Sequence, residues 1–362
     1  MAKSAKCLLI GSIAANSGKS ATIVGMAKQL KLKGVEVAYG KPLGTYSTQN
    51  CADFGEEDVQ FMVESLKLPE DQILTPLLCQ DADTIEKRLA GEGKNDYAVS
   101  LQDYVRELSA DAIILEGPGN LWEGNLFNLS LSQISHSLDA PVLLVARFQE
   151  DNLVDSLLAA KGHLGDHLLG VLINDIPLEE LEKTKTLVKP FLEQQGILVL
   201  GILPRSSLLR SVSVRELKQQ LDAKVLCRED RLDLMVESLT IGAMNVNSAL
   251  EYFRKRKNMV VITGGDRSDL QLAALETSTN CLILTGNVLP QDFVLSRAED
   301  LEVPILSVDL DTLTAVEIAD HAFGQVRFQE PIKVECIENL MAEHFDIKRL
   351  MDNLGIQTKV AA

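Results

Sequence analysis

Six short apolar runs dominate the first half of the chain: AKCLLIGS, VEVAYGKP, AIILEGPG, APVLLVA, LLGVLIND and ILVLGILP. Each is bounded by Gly, Pro or Asp, and helix-sized stretches separate them. Runs without polar alternation are what strands buried on both faces look like, so the pattern predicts βαβ units around a mostly parallel sheet. Several runs end in polar clusters: GSIAANSGKS, GKPLGTYS, EGPGNLWEGN, ARFQEDN and NDIP. In open α/β sheets ligands bind beyond the carboxyl ends of the strands, which is where these clusters fall.

The first cluster is the most informative. A phosphate-binding P-loop reads G-x-x-x-x-G-K-[ST], and Gly18-Lys19-Ser20 supplies its close. Six residues, rather than four, separate Gly11 from Gly18. The context is still correct, with a strand before and the helix SATIVGMAKQLKLKG after. Backbone N–H groups of Asn16, Ser17, Gly18, Lys19, Ser20 and Ala21 would then face a phosphate at a helix N-terminus. Lys19 would add its charge at the β/γ-phosphates and the Ser20 hydroxyl would bind Mg²⁺.

Two further residues follow later strands. Lys41, in YGKPLG, is placed to face the same phosphates or a substrate carboxylate, or to be a solvated loop residue. Glu116, in AIILEGPGN, stands where a carboxylate binds Mg²⁺ or its water. Asp58 opens the helix DVQFMVESLKL; it is a third metal candidate, or an acid favoured by the helix dipole.

At 362 residues the chain is too long for one ordinary core. A boundary is expected after LGILPRSSLLRSVSV, giving domains 1–212 and 213–325 and a helical tail 326–362. The second domain is a smaller α/β unit. Its strand NMVVITGG leads into DRSDLQLAALE, with Asp266 expected to cap the helix and Arg267 to face solvent or an anion. The tail VECIENLMAEHFDIKRLMDNLG is amphipathic and is expected to pack on one of the domains.

The order GSIAANSGKSAT, YGKPLG, EEDVQFM, LEGPGN, INDIP, LGILP resembles the dethiobiotin synthetase-like P-loop family over roughly residues 5–212. It is most similar to the branch found at the N-terminus of long bacterial phosphotransacetylases. The resemblance implies ATP and Mg²⁺ as cofactors, with phosphate, metal and substrate handled by Lys19, Ser20, Lys41, Asp58 and Glu116. It places Asn174 near the nucleotide base. The segment from Leu217 to about Ala322 resembles the DRTGG domain, which is similar to CBS modules and implies a regulatory or oligomerising role. The expected ligand there is a small carboxylate or a nucleotide-like effector. The tail resembles a connecting segment of the phosphotransacetylases, so acetyl transfer is not expected of this chain.

Composition excludes some classes. A net charge of −17 opposes general nucleic-acid binding. RKRK at 254–257 lacks interleaved aromatics and reads as a solvated helix end. No stretch approaches the length of a membrane span, and no signal peptide is evident. The six cysteines are scattered without a C-x-x-C, which suggests buried reduced thiols and a cytoplasmic protein. His163 and His167 have i, i+4 spacing, but Gly165-Asp166 between them disfavours a metal-binding helix.

Three functions compete: a nucleotide-binding regulator, an ATP-dependent carboxylate–amine ligase, and a scaffold that keeps only the loop's shape. The loop's AANS, where the synthetases carry an acid, and the sensor-like second domain favour the regulator. Homodimers or higher assemblies are expected, with helix faces such as SALEYF and LQLAALE serving as contact or as core.

Overall fold

The computed structural model describes residues 5–44, 57–92, 95, 97–106, 108, 110–324 and 330–357. The chain forms two compact units: residues 1–205 with 328–362, and residues 206–327. The boundary falls at Arg205, seven residues before the position expected from the sequence, and the tail joins the first unit.

The first unit is built on a seven-stranded sheet. Its strands are β1 (Lys6–Ser12), β2 (Val37–Gly40), β3 (Ile73–Leu74), β4 (Ala112–Glu116), β5 (Val142–Arg147), β6 (Leu168–Ile176) and β7 (Val199–Pro204). The order across the sheet is β3-β2-β4-β1-β5-β6-β7, and every pair is parallel. From β1 the chain goes out to β2 on one side, returns through β4, and then builds outward from β5 on the other side. β1 therefore lies at the switch point, where loops diverge and leave a crevice. Leu8, Leu9 and Ile10 are all buried, as the absence of alternation in β1 requires.

Helix α1 (Lys19–Leu32) follows β1, and α2 (Glu57–Leu66) lies beside it. Helix α3 (Leu131–Leu138) has a reciprocal cap, with the Gln133 carbonyl accepting from the Ser130 backbone N–H and hydroxyl. Helix α4 (Leu153–Leu164) follows β5. Its end at Leu164, with a single 3₁₀ turn over Gly165–His167, separates His163 from His167.

The second unit has a five-stranded sheet. Strands β8 (Lys224–Cys227), β9 (Ser238–Gly242), β10 (Met259–Gly264), β11 (Thr279–Thr285) and β12 (Ile305–Ser307) lie in the order β8-β12-β11-β10-β9. Only β8 runs antiparallel to its neighbour. Alternate residues feed two cores: Val260, Ile262 and Ile283 enter one, and Met259, Val261 and Leu282 the other. Two helices here were possible contact faces. In α5 (Val246–Phe253) Ala249 and Phe253 are buried while Tyr252 is 53% exposed. In α6 (Ser268–Leu275) Leu270, Ala273, Ala274 and Leu275 are core. LQLAALE is therefore a packed helix. RKRK follows α5 directly, and all four side chains are exposed.

The tail forms α7 (Pro331–His344) and α8 (Ile347–Leu354). Pro331 starts α7 at a position where no N–H is needed. Helix α7 crosses α1 at Gly25, where a Cβ would lie 2.5 Å from Met341 Cγ. A glycine is needed there because the two helices approach too closely for any side chain. Beyond α7, the Asp346 amide donates to the Leu200 carbonyl at 2.8 Å, and Phe345 bridges to Gly201. The tail thus occupies part of the outer edge of β7, the last strand of the sheet, where an uncovered edge would invite strand addition.

Candidate functional site

The crevice beyond β1 is closed by the loop Ile13–Gly18. Asn16 and Gly18 both take positive φ, 55° and 97°. Ser17, which is buried, donates its hydroxyl to the Ala14 carbonyl at 2.6 Å and tightens the turn. Gly18 occupies the N-cap position of α1 and offers no side-chain cap. The first amides of α1 are thus not capped by its side chain, which suits them to an anion. Ala21 lies in that first turn.

Two hydrogen-bond chains fix the loop's key side chains. Lys19 Nζ donates to Ser12 Oγ at 3.0 Å, and Ser12 Oγ donates to the Gly119 carbonyl at 2.9 Å. Ser20 Oγ donates to Glu116 Oε1 at 2.9 Å, while Tyr39 donates to Glu116 Oε2 at 2.8 Å. Glu116 is only 5% exposed, and these donors satisfy one hydrogen bond at each of its buried oxygens. From the end of β6, Asn174 Nδ2 donates to the Ser17 carbonyl at 3.0 Å. Asn16, Ser17, Gly18, Lys19, Ser20, Ala21, Glu116 and Asn174 thus meet at one edge of the sheet.

Lys41 follows β2 at the same edge and is 4% exposed, so it is not a solvated loop residue. Burial of an ammonium demands partners. Asp58 lies in the first turn of α2; its side chain is outside the described residues.

Ser12, Tyr39 and Glu123 had no place in the sequence reading. Ser12 and Tyr39 sit inside predicted strands, where a polar group aimed at a site looks like any core residue. Glu123 accepts from the Gly119 amide, while Asn120 Oδ1 accepts from the Trp122 and Glu123 amides at 2.8 and 3.0 Å. The EGPGNLWEG segment is therefore a tied turn. Next to Asn174, Asp175 takes φ 59° and receives Arg147 and Arg205, each at 2.9 Å. The ends of β5, β6 and β7 are joined by this cluster.

The hard oxygen donors Ser20 and Glu116 fit Mg²⁺, which prefers hydroxyl, carboxylate and phosphate oxygens. Among the described residues no group of three or more His, Cys, Asp or Glu gathers to hold a metal ion. His163 packs its ring on Trp122 at 4.7 Å, and His167 stacks on His136 at 4.4 Å.

Cys227 and Cys281 are buried thiols and Cys7 and Cys336 half-buried thiols, while Cys79 is disulfide-bonded, so the cysteines are not all reduced as expected. Scattered spacing carries no information on which cysteines the fold brings within bonding distance.

In the second unit, Asp266 does not cap the helix. α6 begins at Ser268 with Arg267 in the cap position and no side-chain cap bond. Gln271, fully buried, donates to the Gly264 and Gly265 carbonyls at 2.9 and 3.0 Å and holds the turn instead. Arg267 donates to both Asp269 oxygens at 3.0 Å and to the Met244 carbonyl at 3.2 Å. These bonds hold the Asp269 carboxyl below the usual carboxylate range.

Residues 6–213 match the family described as AAA domain. The chain belongs to that family. Behind this AAA domain, residues 216–322 match the DRTGG domain. The chain is 27% identical over 376 residues to a phosphate acetyltransferase of Nitratidesulfovibrio vulgaris, covering 96% of this chain and 51% of that protein. It is 28% identical over 316 residues to the phosphate acetyltransferase of Synechocystis sp., covering 81% and 44%. The chain spans about half the length of these relatives. Among solved structures, it is similar to the CBS and DRTGG domains of the regulatory region of Clostridium perfringens pyrophosphatase, complexed with the activator diadenosine tetraphosphate. That likeness has 16% identity and a TM-score of 0.29, over 49% of this chain and 88% of the other. The AAA domain with its parallel sheet is a P-loop NTPase-type fold, followed by a smaller DRTGG unit.

Among the described residues, no helix is long and apolar enough to cross a membrane.

Proposed function

We propose that the first unit binds ATP with Mg²⁺ and that the DRTGG unit makes this binding responsive to a small effector, a carboxylate or a nucleotide-like molecule. The observation that carries the reading is the pair of side chains at the start of α1. Lys19 is held on Ser12 and Ser20 on Glu116, so both are oriented across one loop. In this reading the backbone amides from Asn16 to Ala21 receive phosphate oxygens, and Lys19 exchanges Ser12 for a phosphate. Ser20 and Glu116 are the proposed protein ligands for Mg²⁺, with Asp58 as a further acid. Mg²⁺ would neutralise phosphate charge when bound. Asn174, which donates to the Ser17 carbonyl, is proposed to lie near the base, and Lys41 is proposed to face phosphate or a substrate carboxylate.

The kinship with phosphate acetyltransferases supports a regulatory role alongside that enzyme class. Acetyl transfer itself is not proposed. A cytoplasmic homodimer is the proposed working form, since closed two-fold symmetry is the commonest assembly; light scattering that returned the 39.7 kDa mass of one chain would sink that part. The nucleotide reading is tested by thermal melts with and without ATP and Mg²⁺. Identical responses of wild type and Lys19→Ala would end it.

A further inference from the structure

Far from the loop, the second half of α1, the end of α2 and the start of α7 enclose a groove of about 490 Å³. That size is within the range that holds small molecules. Its floor is apolar: Val24 and Leu66 are buried, with Phe61 and Val334 half-buried around them. Three ammonium groups border it, from Lys28, Lys31 and Lys67, against two carboxylates, Glu64 and Glu338.

The charges are placed unevenly. Lys31 reaches over the floor and donates to the Leu66 carbonyl. Lys28 pairs with Glu338 at 3.4 Å in a bridge that is half in solvent, which contributes little. Burial, and then the charge of Lys28, hold the Lys31 ammonium below the ordinary lysine range. Two neighbouring cations over an apolar floor are the complement of a negative head on an oily body. A Lys31 that only capped the C-terminus of α2 would account for its bond to Leu66. It would not account for the surplus of positive charge on the rim, three ammonium groups against two carboxylates.

We propose that this groove is a second small-molecule site. Its ligand is a small organic anion: a carboxylate or phosphate head between Lys28 and Lys31, and a short apolar body against the half-buried Phe61 and Val334. The site is independent of the nucleotide reading, since it shares no residue with the loop.

Calorimetric titration of the full chain with hexanoate and with hexyl phosphate tests it, with acetate, inorganic phosphate and hexylamine as comparisons. Binding of either hexyl anion at least tenfold tighter than acetate, inorganic phosphate and hexylamine is expected. Which of the two binds names the head group. Lys28→Met with Lys31→Met should weaken that binding tenfold or more. Val334→Trp, which fills the groove from its rim and keeps both charges, should do the same. The proposal fails if hexylamine binds as well as the anions, or if the chain-less anions match them. It also fails if a folded Val334→Trp protein binds them as tightly as wild type.

Discussion

The Ser20 hydroxyl donates to one oxygen of the Glu116 carboxylate at 2.9 Å, joining the first turn of α1 to the end of β4. Glu116→Gln keeps the shape and removes the charge. Its Tyr39 contact loses a charge-assisted partner, so the apo protein should lose about 1–2 kcal/mol. Nucleotide affinity should drop at least tenfold with Mg²⁺ present and change little with EDTA. Fluorescence titration in the two conditions separates these, and an equal drop in both would remove the metal role.

Lys19→Ala should leave a folded protein, because Lys19 is half-buried at the start of α1 and its bond to Ser12 is partly exposed. If the proposed site binds ATP with Mg²⁺, the ligand at about 100 times Kd should stabilise wild type by roughly 2.7 kcal/mol. The variant should keep little of that shift in a melt.

Gly18→Ala tests the loop itself. At φ 97° a side chain is strained, and a Cβ would lie 2.5 Å from Asn174 Nδ2. The variant should be about 1–2 kcal/mol less stable. Adding Asn174→Ala should recover the contact part and leave the backbone part. A denaturant cycle over the four proteins measures both, and a fully additive result would mean Asn174 yields without cost.

Most of this site was legible because its residues follow strands. Lys19, Ser20, Lys41, Glu116 and Asn174 each come just after, or at the end of, an apolar run, and parallel strands deliver their carboxyl ends to one edge. Tyr39 and Ser12 were not legible, since their significance is a pairing across the sheet that one chain segment does not encode. Packing and family match place the unit boundary differently: the compact second unit starts at Ser206, while the AAA-domain match runs to residue 213, next to the expected 212. ILVLGILP ends β7 at Pro204, and the following RSSLLRSVSV has the look of a continuing loop, although the second unit starts at Ser206. The partner of α7 was equally hidden. Its apolar stripe fits any groove, and only the bare backbone of Gly25 selects α1.

The Cys7 thiol is pushed up to about 12 by burial, against 9.0 for an exposed thiol. Between those values the unfolded chain has lost the proton and the folded chain has kept it. The unfolded state binds fewer protons, so stability is intact below pH 9 and falls as pH rises through that window. Burial also raises the Cys281 thiol, in the second unit. Urea melts at pH 8 and pH 10.5 should show the loss, and Cys7→Ala should make it smaller. An unchanged pH slope in Cys7→Ala would show that this thiol is not the source.

Met341→Ala leaves a cavity against Gly25, where the native side chain is fully buried. The expected cost is about 2–4 kcal/mol. Far-UV circular dichroism of the melt should show it as an earlier transition, and a change under 1 kcal/mol would mean that α7 adds little to the first unit.

That contact has a consequence for anyone dividing the gene. The first unit is written in two pieces, with the whole DRTGG unit read out between them. A ribosome therefore finishes the P-loop well over a hundred codons before the helix that covers the back of α1. Until then the Gly25 face is an oily seam in search of a cover. A fragment cut neatly after residue 212 carries the seam permanently, and its tendency to clump would say nothing about its loop.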